Sequence, residues 1–485
     1  MRQRLTCEFR RFLATKQEPL DDFRKGEDGN LTTMGIFLVP LMLVLGGMSV
    51  DFMRFESERA LIQDTADRAA LAAANLEFTY PGEGVGKVRD FFEKANLDQY
   101  LDGDAIVTET INNRTVEVNV TRPMNTFFLK LAGIDSLDAG ARSVATQGVG
   151  NVEISLVLDI SGSMGNPTYD ADGNPTGQTK MEALRDAATT FVNTALQDSN
   201  ADRVSLSLVP YAQHVNVGQN IFSRMNTNQL HDYAYCVEFE DGDFAEPGID
   251  LSRTYQQGQF MDHWSNGSTL NDPMCASRPF EQITALSQDR GALLNQISQM
   301  QPTTQTSIFL GMKWGLALLD PSTRPLVAPD LDAAFAGRPG DYSSENANHN
   351  TTKVLVVMTD GQNTDATYIR DEYYQDANDA YHWANNPFNY WYSNNVHNSY
   401  HNKWDFKEIR YNNSKGNRLL ADSCDAAREK NVQVFAIAFE APQDGARVMS
   451  ECATTINHFF NTNGDDLNSV FEAIAEQVTS LRLTQ

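Results

Sequence analysis

Five oxygen-bearing side chains in three separated segments of the sequence could together hold a metal ion. Asp159 ends an apolar strand, and Ser161 and Ser163 follow it on the glycine-containing loop of ISLVLDISGSMG. Thr306 lies in a polar turn directly before an amphipathic helix, and Asp360 follows the apolar run of KVLVVMTDG. Ligands of open α/β sheets gather where strands end and loops begin, so we expect these side chains to converge at one sheet edge.

Carboxylates and hydroxyls are hard oxygen ligands, which suit Mg²⁺, Mn²⁺ or Ca²⁺ and suit zinc or copper poorly. Two carboxylates and three neutral hydroxyls leave little surplus negative charge around a divalent cation, so the ion would remain electrophilic. The sequence therefore predicts a site for one of these three cations.

The order D-x-S-x-S, a distant Thr and a distant T-D-G resembles the metal-ion-dependent adhesion site of von Willebrand factor type A (vWA) domains. The metal ligands of that family fall on Asp159, Ser161, Ser163, Thr306 and Asp360. The resemblance implies an α/β fold with a doubly wound, mostly parallel, Rossmann-like sheet. It also implies an open coordination position on the metal, which can accept an Asp or Glu carboxylate from a partner protein.

No catalytic residue and no enzymatic activity are predicted. The segment around Ser163 is not a GxSxG elbow, and the eight histidines fall in no metal or triad motif. The segment DADGN is superficially similar to a calcium loop. It lacks the glycine and the closing glutamate of an EF-hand, so we expect a hairpin tip there.

The elements that must position the site alternate between apolar strands and helices over residues 151–485, which is typical of a doubly wound domain. Predicted helices include about 179–197, 281–300 and 465–482, and RVSLSLVPYA is predicted to pair with HVNV as strands. Two long insertions, at about 220–278 and 362–417, depart from a minimal domain. The second is rich in Asn, Tyr and Trp, and it could bind a protein or a sugar or could pack on itself.

Four of the five cysteines lie in the C-terminal part of the chain and could form two disulfides in an oxidising compartment. Four cysteines allow three pairings. We expect Cys236 to pair with Cys275 and Cys424 with Cys452, because each of these pairs is local. The fifth cysteine, Cys7, would stay reduced in the cytoplasm.

The N-terminal part contains an uncharged run from Gly29 to Val50, which is long enough to span a bilayer as one helix. Pro40 and the Gly46-Gly47 pair are tolerated in membrane helices. A cleaved signal peptide is the alternative. The long basic tail before the run favours a retained anchor with a cytoplasmic N-terminus.

Beyond the membrane run, the sequence predicts a helical stalk and then a small α+β module. The Ala-rich face of the stalk could pack on another anchored helix or on its own downstream domain. In the module we expect a strand turn at Asn112-Asn113 and an apolar helix near residues 124–131. The predicted organisation is a cytoplasmic tail (1–28), a transmembrane helix (29–50), a stalk (51–80), the module (81–150) and the vWA domain (151–485).

The segment GNLTTMGIFLVPLMLVLGGMSVDFMRFESERALIQDTADRAALAAA resembles the membrane anchor of TadE/TadG-type proteins of the tight-adherence (Tad, Flp) pilus assembly system. Joined to a C-terminal vWA domain, it resembles the TadG-like branch. The resemblance implies a single-pass protein of the bacterial inner membrane with its bulk in the periplasm. It further implies a role in pilus assembly or anchoring and in adherence, with other pilus assembly proteins as candidate partners.

The charge of the chain excludes nucleic acid as a partner. Its 485 residues include 38 Lys+Arg and 64 Asp+Glu, and the resulting net charge of −26 would repel phosphate backbones. The leading hypothesis is an envelope assembly factor that binds a partner carboxylate through its metal. A surface adhesin that uses the same site and a metal-dependent hydrolase are the alternatives.

Overall fold

A computed structural model describes residues 30–74, 83–110, 113–148, 151–197, 203–333, 335–342, 351–396 and 402–480. The chain divides into two compact units, Met1–Gln147 and Gly148–Gln485. The predicted cytoplasmic tail with Cys7, the last residues of the predicted stalk and Asn112 of the predicted turn lie outside the described residues.

The first unit begins with one long helix, α1 (Asn30–Ala73), of 44 residues. The predicted transmembrane helix and most of the predicted stalk are therefore one continuous helix, which runs through Pro40. Within the described part of the chain, this is the one helix long and apolar enough to cross a membrane. It fits a single-pass membrane anchor.

A small α+β module completes the first unit. It contains α2 (Glu83–Lys94) and a three-stranded sheet of β1 (Ile106–Thr110), β2 (Asn113–Asn125) and β3 (Ser136–Gly148), in the order β1-β2-β3. The Ala-rich face of α1 is buried against this module, where Ala66, Ala69 and Ala73 share a core with Phe92 and Val116. Of the two alternatives for that face, the structure therefore shows packing on its own domain.

The prediction of an apolar helix near residues 124–131 is wrong. The inward alternation of Val116, Val118 and Val120 continues to Met124, so β2 runs on to Asn125. Only a single 3₁₀ turn follows, Leu129–Ala132, and Gly133 ends it with a φ of 85°.

The strands of the second unit are β4 (Asn151–Asp159), β5 (Pro167–Tyr169), β6 (Pro175–Thr179), β7 (Val204–Tyr211), β8 (Thr227–Asn228), β9 (Tyr255–Gln256), β10 (Thr284–Ser287), β11 (Thr351–Thr359), β12 (Ala366–Ile369), β13 (Lys407–Tyr411), β14 (Gln433–Phe439) and β15 (Phe459–Thr462). Six of them form the central sheet, in the order β10-β7-β4-β11-β14-β15. Strand β10 is antiparallel to β7, and the other neighbours are parallel.

The helices of this unit are α3 (Lys180–Ala195), α4 (Gly218–Arg224), α5 (Arg290–Gln299), α6 (Ile308–Ala317), α7 (Arg324–Val327), α8 (Ala377–Asn385), α9 (Phe388–Asn395), α10 (Asn413–Glu429), α11 (Gln443–Cys452) and α12 (Leu467–Ser480). Both faces of the sheet are covered, as the doubly wound prediction requires: α3, α5 and α12 share one core with it, and α6, α10 and α11 share the other. Side chains alternate along β4, so Leu156 and Leu158 join a core with Phe191 of α3 and Phe471 of α12, whereas Val157 joins the core on the other face. The sheet is therefore buried on both sides, which explains its near-continuous apolar strands.

Two element predictions in this unit need correction. Residues 281–300 are not one helix, because Thr284–Ser287 forms the edge strand β10 and the Asp289 side chain caps α5 by accepting from the Ala292 N–H. HVNV is not a strand either. Asn216 makes isolated bridges to Cys236 and Gln282 in a loop.

The described aromatic residues of the Asn/Tyr/Trp-rich insertion pack on one another, and the insertion also contacts the first one, where the Phe388 N–H donates to the carbonyl of Asp262. Trp383 and Phe388 are buried, and the Trp383 ring lies 5.0 Å from that of Trp391 and 5.9 Å from that of Phe388. Tyr381 and Trp404 remain exposed on the described part of the insertion, so a recognition role for them stays a prediction.

Both disulfides of the structure are the pairs expected from the sequence. Cys236 is bonded to Cys275 and Cys424 to Cys452. The first pair closes a loop inside the first insertion, and the second links α10 to the end of α11. Crosslinks of this kind stabilise a fold chiefly by restricting the unfolded chain.

In the first unit, the side chain of Asp51 fixes the 3₁₀ turn Leu129–Ala132 to the long helix. Asp51 is buried, and its carboxylate accepts hydrogen bonds from the backbone N–H groups of Phe127 (3.1 Å), Phe128 (2.7 Å) and Leu129 (2.8 Å). These are the N–H groups at the start of a helical turn, which have no partner within the turn itself. A negative charge at this position is also favoured by the dipole of the turn.

Replacement of Asp51 should loosen this contact. In Asp51→Ala, the N–H groups of Phe128 and Leu129 lose their acceptor, at a cost of about 1–3 kcal/mol. We expect hydrogen exchange of these two amides in the detergent-solubilised full chain to accelerate. Asp135→Ala, which removes an exposed carboxylate from the same loop, is the control and should leave exchange unchanged. Equal protection in both variants would contradict this role of Asp51.

Candidate metal centre

The two predicted carboxylate ligands leave the sheet side by side. Strands β4 and β11 are parallel neighbours in which Leu158 pairs with Met358. Asp159 is the last residue of β4, and Asp360 directly follows β11, so both lie at the same edge of the sheet. The chain after Asp159 turns at once into the short 3₁₀ helix Gly162–Gly165.

Asp159 holds the start of the serine loop in place. Its side chain is fully buried. One carboxylate oxygen accepts the backbone N–H of Ser161 at 2.7 Å, and the other accepts the hydroxyl of Thr359 at 2.7 Å. Asp159 therefore connects the ends of β4 and β11 and sets the direction in which the loop leaves the sheet.

The serine hydroxyls continue from Asp159 toward the second carboxylate. The Oγ atoms of Ser161 and Ser163 are 3.2 Å apart. Ser163 donates a hydrogen bond of 2.6 Å to Oδ1 of Asp360. Two hydroxyls and one carboxylate thus form a contiguous row of oxygen atoms at the sheet edge.

Thr306 reaches this edge on the loop between α5 and α6. The Thr303 N–H donates to the carbonyl of Ile160 at 2.8 Å, which joins this loop to the serine loop. The Thr306 N–H donates to the Thr364 hydroxyl at 3.0 Å, and its carbonyl accepts the Thr364 N–H at 2.9 Å. The backbone of Thr306 is therefore fixed by the segment that follows Asp360.

The side chains of Thr306 and Ser163 converge above Gly361. A Cβ atom at Gly361 would lie 3.7 Å from Oγ1 of Thr306 and 4.0 Å from Oγ of Ser163. The structure therefore brings together all five residues singled out from the sequence, which are Asp159, Ser161, Ser163, Thr306 and Asp360.

The negative charge of Asp159 is destabilised by its surroundings. Burial, and then the charge of Asp360, raise the pKa of the Asp159 carboxyl to about 7. Hydrogen bonds from Ser161 and Thr359 oppose the shift by stabilising the carboxylate. A cation added at this edge would favour the ionised form of Asp159.

A lysine that the sequence analysis did not single out supplies positive charge beside the carboxylates. Lys180 is buried, and its Nζ lies 3.1 Å from Oδ2 of Asp360 and 3.8 Å from Oε2 of Glu440. It is the first residue of α3, where Thr179 and Glu182 form a reciprocal capping box. The capping pattern TKME was visible in the sequence, but nothing there showed that the helix would start beside Asp360.

Backbone geometry around the site is also unusual. Thr304 and Glu440 adopt left-handed φ angles of 44° and 48°, which non-glycine residues rarely do. The carbonyl of Thr304 accepts the N–H of Gly162 at 2.9 Å, and the Glu440 carboxylate accepts the Thr168 hydroxyl at 2.6 Å. Strained residues of this kind are concentrated at functional sites.

The oxygen set fits a hard divalent cation. Among the described residues, no group of three or more His, Cys, Asp or Glu side chains could hold a metal on its own. A cation at this edge would therefore depend on the hydroxyls of Ser161, Ser163 and Thr306 together with the two carboxylates. Such neutral and anionic oxygens are the ligands of Mg²⁺, Mn²⁺ and Ca²⁺.

The N-terminal segment of the chain is similar to a known protein family. Residues 29–76 match a family model described as "Putative Flp pilus-assembly TadE/G-like". The resemblance expected for the anchor is therefore confirmed over this segment. No curated protein sequence matches the chain significantly.

Solved structures similar to the chain include a vWF domain, a minor pilin and a von Willebrand factor type A protein. The vWF domain of the type V pili tip protein Mfa5 from Porphyromonas gingivalis is 13% identical, with a TM-score of 0.35 over 70% of this chain and 98% of that one. The PilB minor pilin from Streptococcus sanguinis is 12% identical, with a TM-score of 0.31 over 78% of this chain and 77% of that one. A von Willebrand factor type A protein from Catenulispora acidiphila is 10% identical, with a TM-score of 0.28 over 78% of this chain and 50% of that one.

Removal of the Lys180 charge should strengthen cation binding at this edge. The ammonium group and a metal ion compete for Asp360, so we expect Lys180→Met to bind Mg²⁺ about tenfold more tightly, equivalent to ~1.4 kcal/mol. Isothermal titration of the full chain would measure this. Lys415→Met removes a lysine that pairs with Asp241 in the same unit, and it should bind as the parent does. An unchanged or weaker affinity in Lys180→Met would show that the lysine does not compete with the metal.

Proposed function

We propose that the chain is a membrane-anchored, pilus-related protein whose C-terminal unit binds a partner protein through a shared divalent cation. The observation that carries this proposal is the convergence of two buried carboxylates and three hydroxyls at the end of β4 and β11. The match of residues 29–76 to the TadE/G-like family supports the pilus-related part.

In this proposal the five residues hold the cation and leave its outer side to the partner. Mg²⁺ is the expected ion, with Mn²⁺ or Ca²⁺ as substitutes, and when bound it would attract an Asp or Glu carboxylate of the partner. Asp159 would also fix the serine loop around the cation, because its two oxygens accept the Ser161 N–H and the Thr359 hydroxyl. Lys180 would then move toward Glu440, which lies 3.8 Å from its ammonium group.

We place the protein in the bacterial inner membrane, with its N-terminus in the cytoplasm and its bulk in the periplasm. The basic tail before the helix favours this orientation. The two disulfides of the second unit support it independently, since such bonds persist in an oxidising compartment such as the periplasm. Other pilus assembly proteins are the partners that we propose.

The role we propose is binding rather than catalysis. A surface adhesin would use the same metal site but would require the second unit to be exposed outside the cell. Protease digestion of intact cells and spheroplasts separates the two locations. Metal-dependent turnover of a substrate would instead favour the hydrolase alternative.

The proposal is tested by capture of envelope proteins on the full chain in lipid nanodiscs. With Mg²⁺ present, we expect pilus assembly proteins to be recovered. Chelation or Asp360→Asn, which removes a ligand charge without changing its shape, should reduce recovery by about tenfold, equivalent to ~1.4 kcal/mol of binding energy.

Asp341→Asn is the matched control, because the Asp341 carboxylate is exposed and pairs only with Arg324 among the described contacts. It should bind as the parent does. Equal recovery with metal, with chelator and in Asp360→Asn would overturn the metal-bridging proposal and assign partner binding to another surface.

A further inference from the structure

We propose that the loop of residues 127–134 is a second membrane contact, which enters the lipid interface beside the anchor helix. We call it the 127–134 loop. The ligand is the headgroup and upper acyl region of a lipid bilayer. The inference rests on the proposed membrane span of α1 and extends it to a surface of the folded module.

The position of the 127–134 loop is set by its contacts with α1. Asp51 accepts the N–H groups at the start of the loop, as described above. Phe128 packs directly on Gly47, where a Cβ atom would come within 2.1 Å of the phenyl ring. The guanidinium of Arg54 lies 4.6 Å from the ring centre of Phe127. The loop therefore lies beside residues 47–54 of α1.

This part of α1 is where its apolar run ends. The uncharged run reaches Val50, and the first charged residues after it are Asp51 and Arg54. A helix that spans the bilayer along this run would place residues 47–54 at the lipid–water boundary. The 127–134 loop would then lie at the same depth, because it is hydrogen-bonded to Asp51.

The loop presents apolar side chains outward at that level. Phe127 is 68% exposed, Leu131 73% and Ile134 42%. Several large apolar side chains exposed on so short a segment are unusual on a surface that faces only water. Insertion of apolar side chains at the acyl boundary is the way in which interfacial segments bind membranes.

The one charged residue of the loop, Lys130, fits the same location. Lys130 and its partner Asp135, 3.6 Å away, are both exposed, and an ion pair so exposed contributes little. The ammonium group can therefore exchange to lipid phosphates while its stem stays in the apolar region. Gly47 makes room for Phe128, since any side chain at this position would displace the phenyl ring.

The experiment uses the full chain in lipid vesicles with an environment-sensitive fluorophore on single cysteines. Cys7 is the one cysteine outside the two disulfides, so Cys7→Ser provides the background. Leu131→Cys reports the loop, Leu43→Cys reports the span, and Ile106→Cys reports an exposed apolar position of the module away from the loop. Quenching by spin-labelled lipids is compared with quenching by aqueous iodide.

We expect the Leu131 probe to be quenched by lipids labelled near the headgroup and protected from iodide, with the Ile106 probe showing the opposite. Lipid quenching of the Leu43 probe together with iodide quenching of the Leu131 probe would overturn this inference and leave the anchor intact. If iodide also quenches the Leu43 probe, the proposed membrane span of α1 is itself wrong. Protection of the Leu131 probe in native membranes but not in vesicles would assign the loop to a protein partner, and the lipid contact would be wrong.

Discussion

The candidate site of the second unit depends on two buried carboxylates at the ends of neighbouring parallel strands, whose charges must be compensated. Asp159 and Asp360 lie at the same edge of the sheet because β4 and β11 are in register, and burial together with the charge of Asp360 raises the pKa of Asp159. A fold keeps such a pair only with compensating hydrogen bonds or cations. Here Ser161, Ser163 and Thr359 supply the hydrogen bonds, and Lys180 supplies a cation. A divalent ion would complete the compensation and face outward.

The sequence was sufficient for the parts of this arrangement that depend on local pattern. Continuous apolar runs that end in Asp159 and before Asp360 identified buried parallel strands and, with them, the edge at which ligands meet. The near spacing of Ser161 and Ser163 made their convergence predictable as well. The disulfide pairs followed from locality in the same way.

What the sequence did not reveal depends on contacts between distant segments. Lys180 is far from Asp360 along the chain, and only the placement of α3 brings the two together. The edge strand β10 resembled the start of a helix because the apolar residues before Asp289 fit both patterns. The 3₁₀ turn at Leu129 likewise depends on Asp51, whose carboxylate reaches it from α1. Each of these features depends on a tertiary contact that the local pattern does not contain.

Anomalous diffraction from Mn²⁺-soaked crystals would show directly whether a divalent cation binds among the five oxygen ligands. We expect one anomalous peak in contact with the hydroxyl oxygens of Ser161 and Ser163 and with the carboxylate of Asp360. We also expect that the Lys180 ammonium group no longer bonds to Asp360. An absence of anomalous signal at this edge at saturating Mn²⁺, with Lys180 still on Asp360, would contradict cation binding here and make the lysine the permanent counter-ion of the carboxylates.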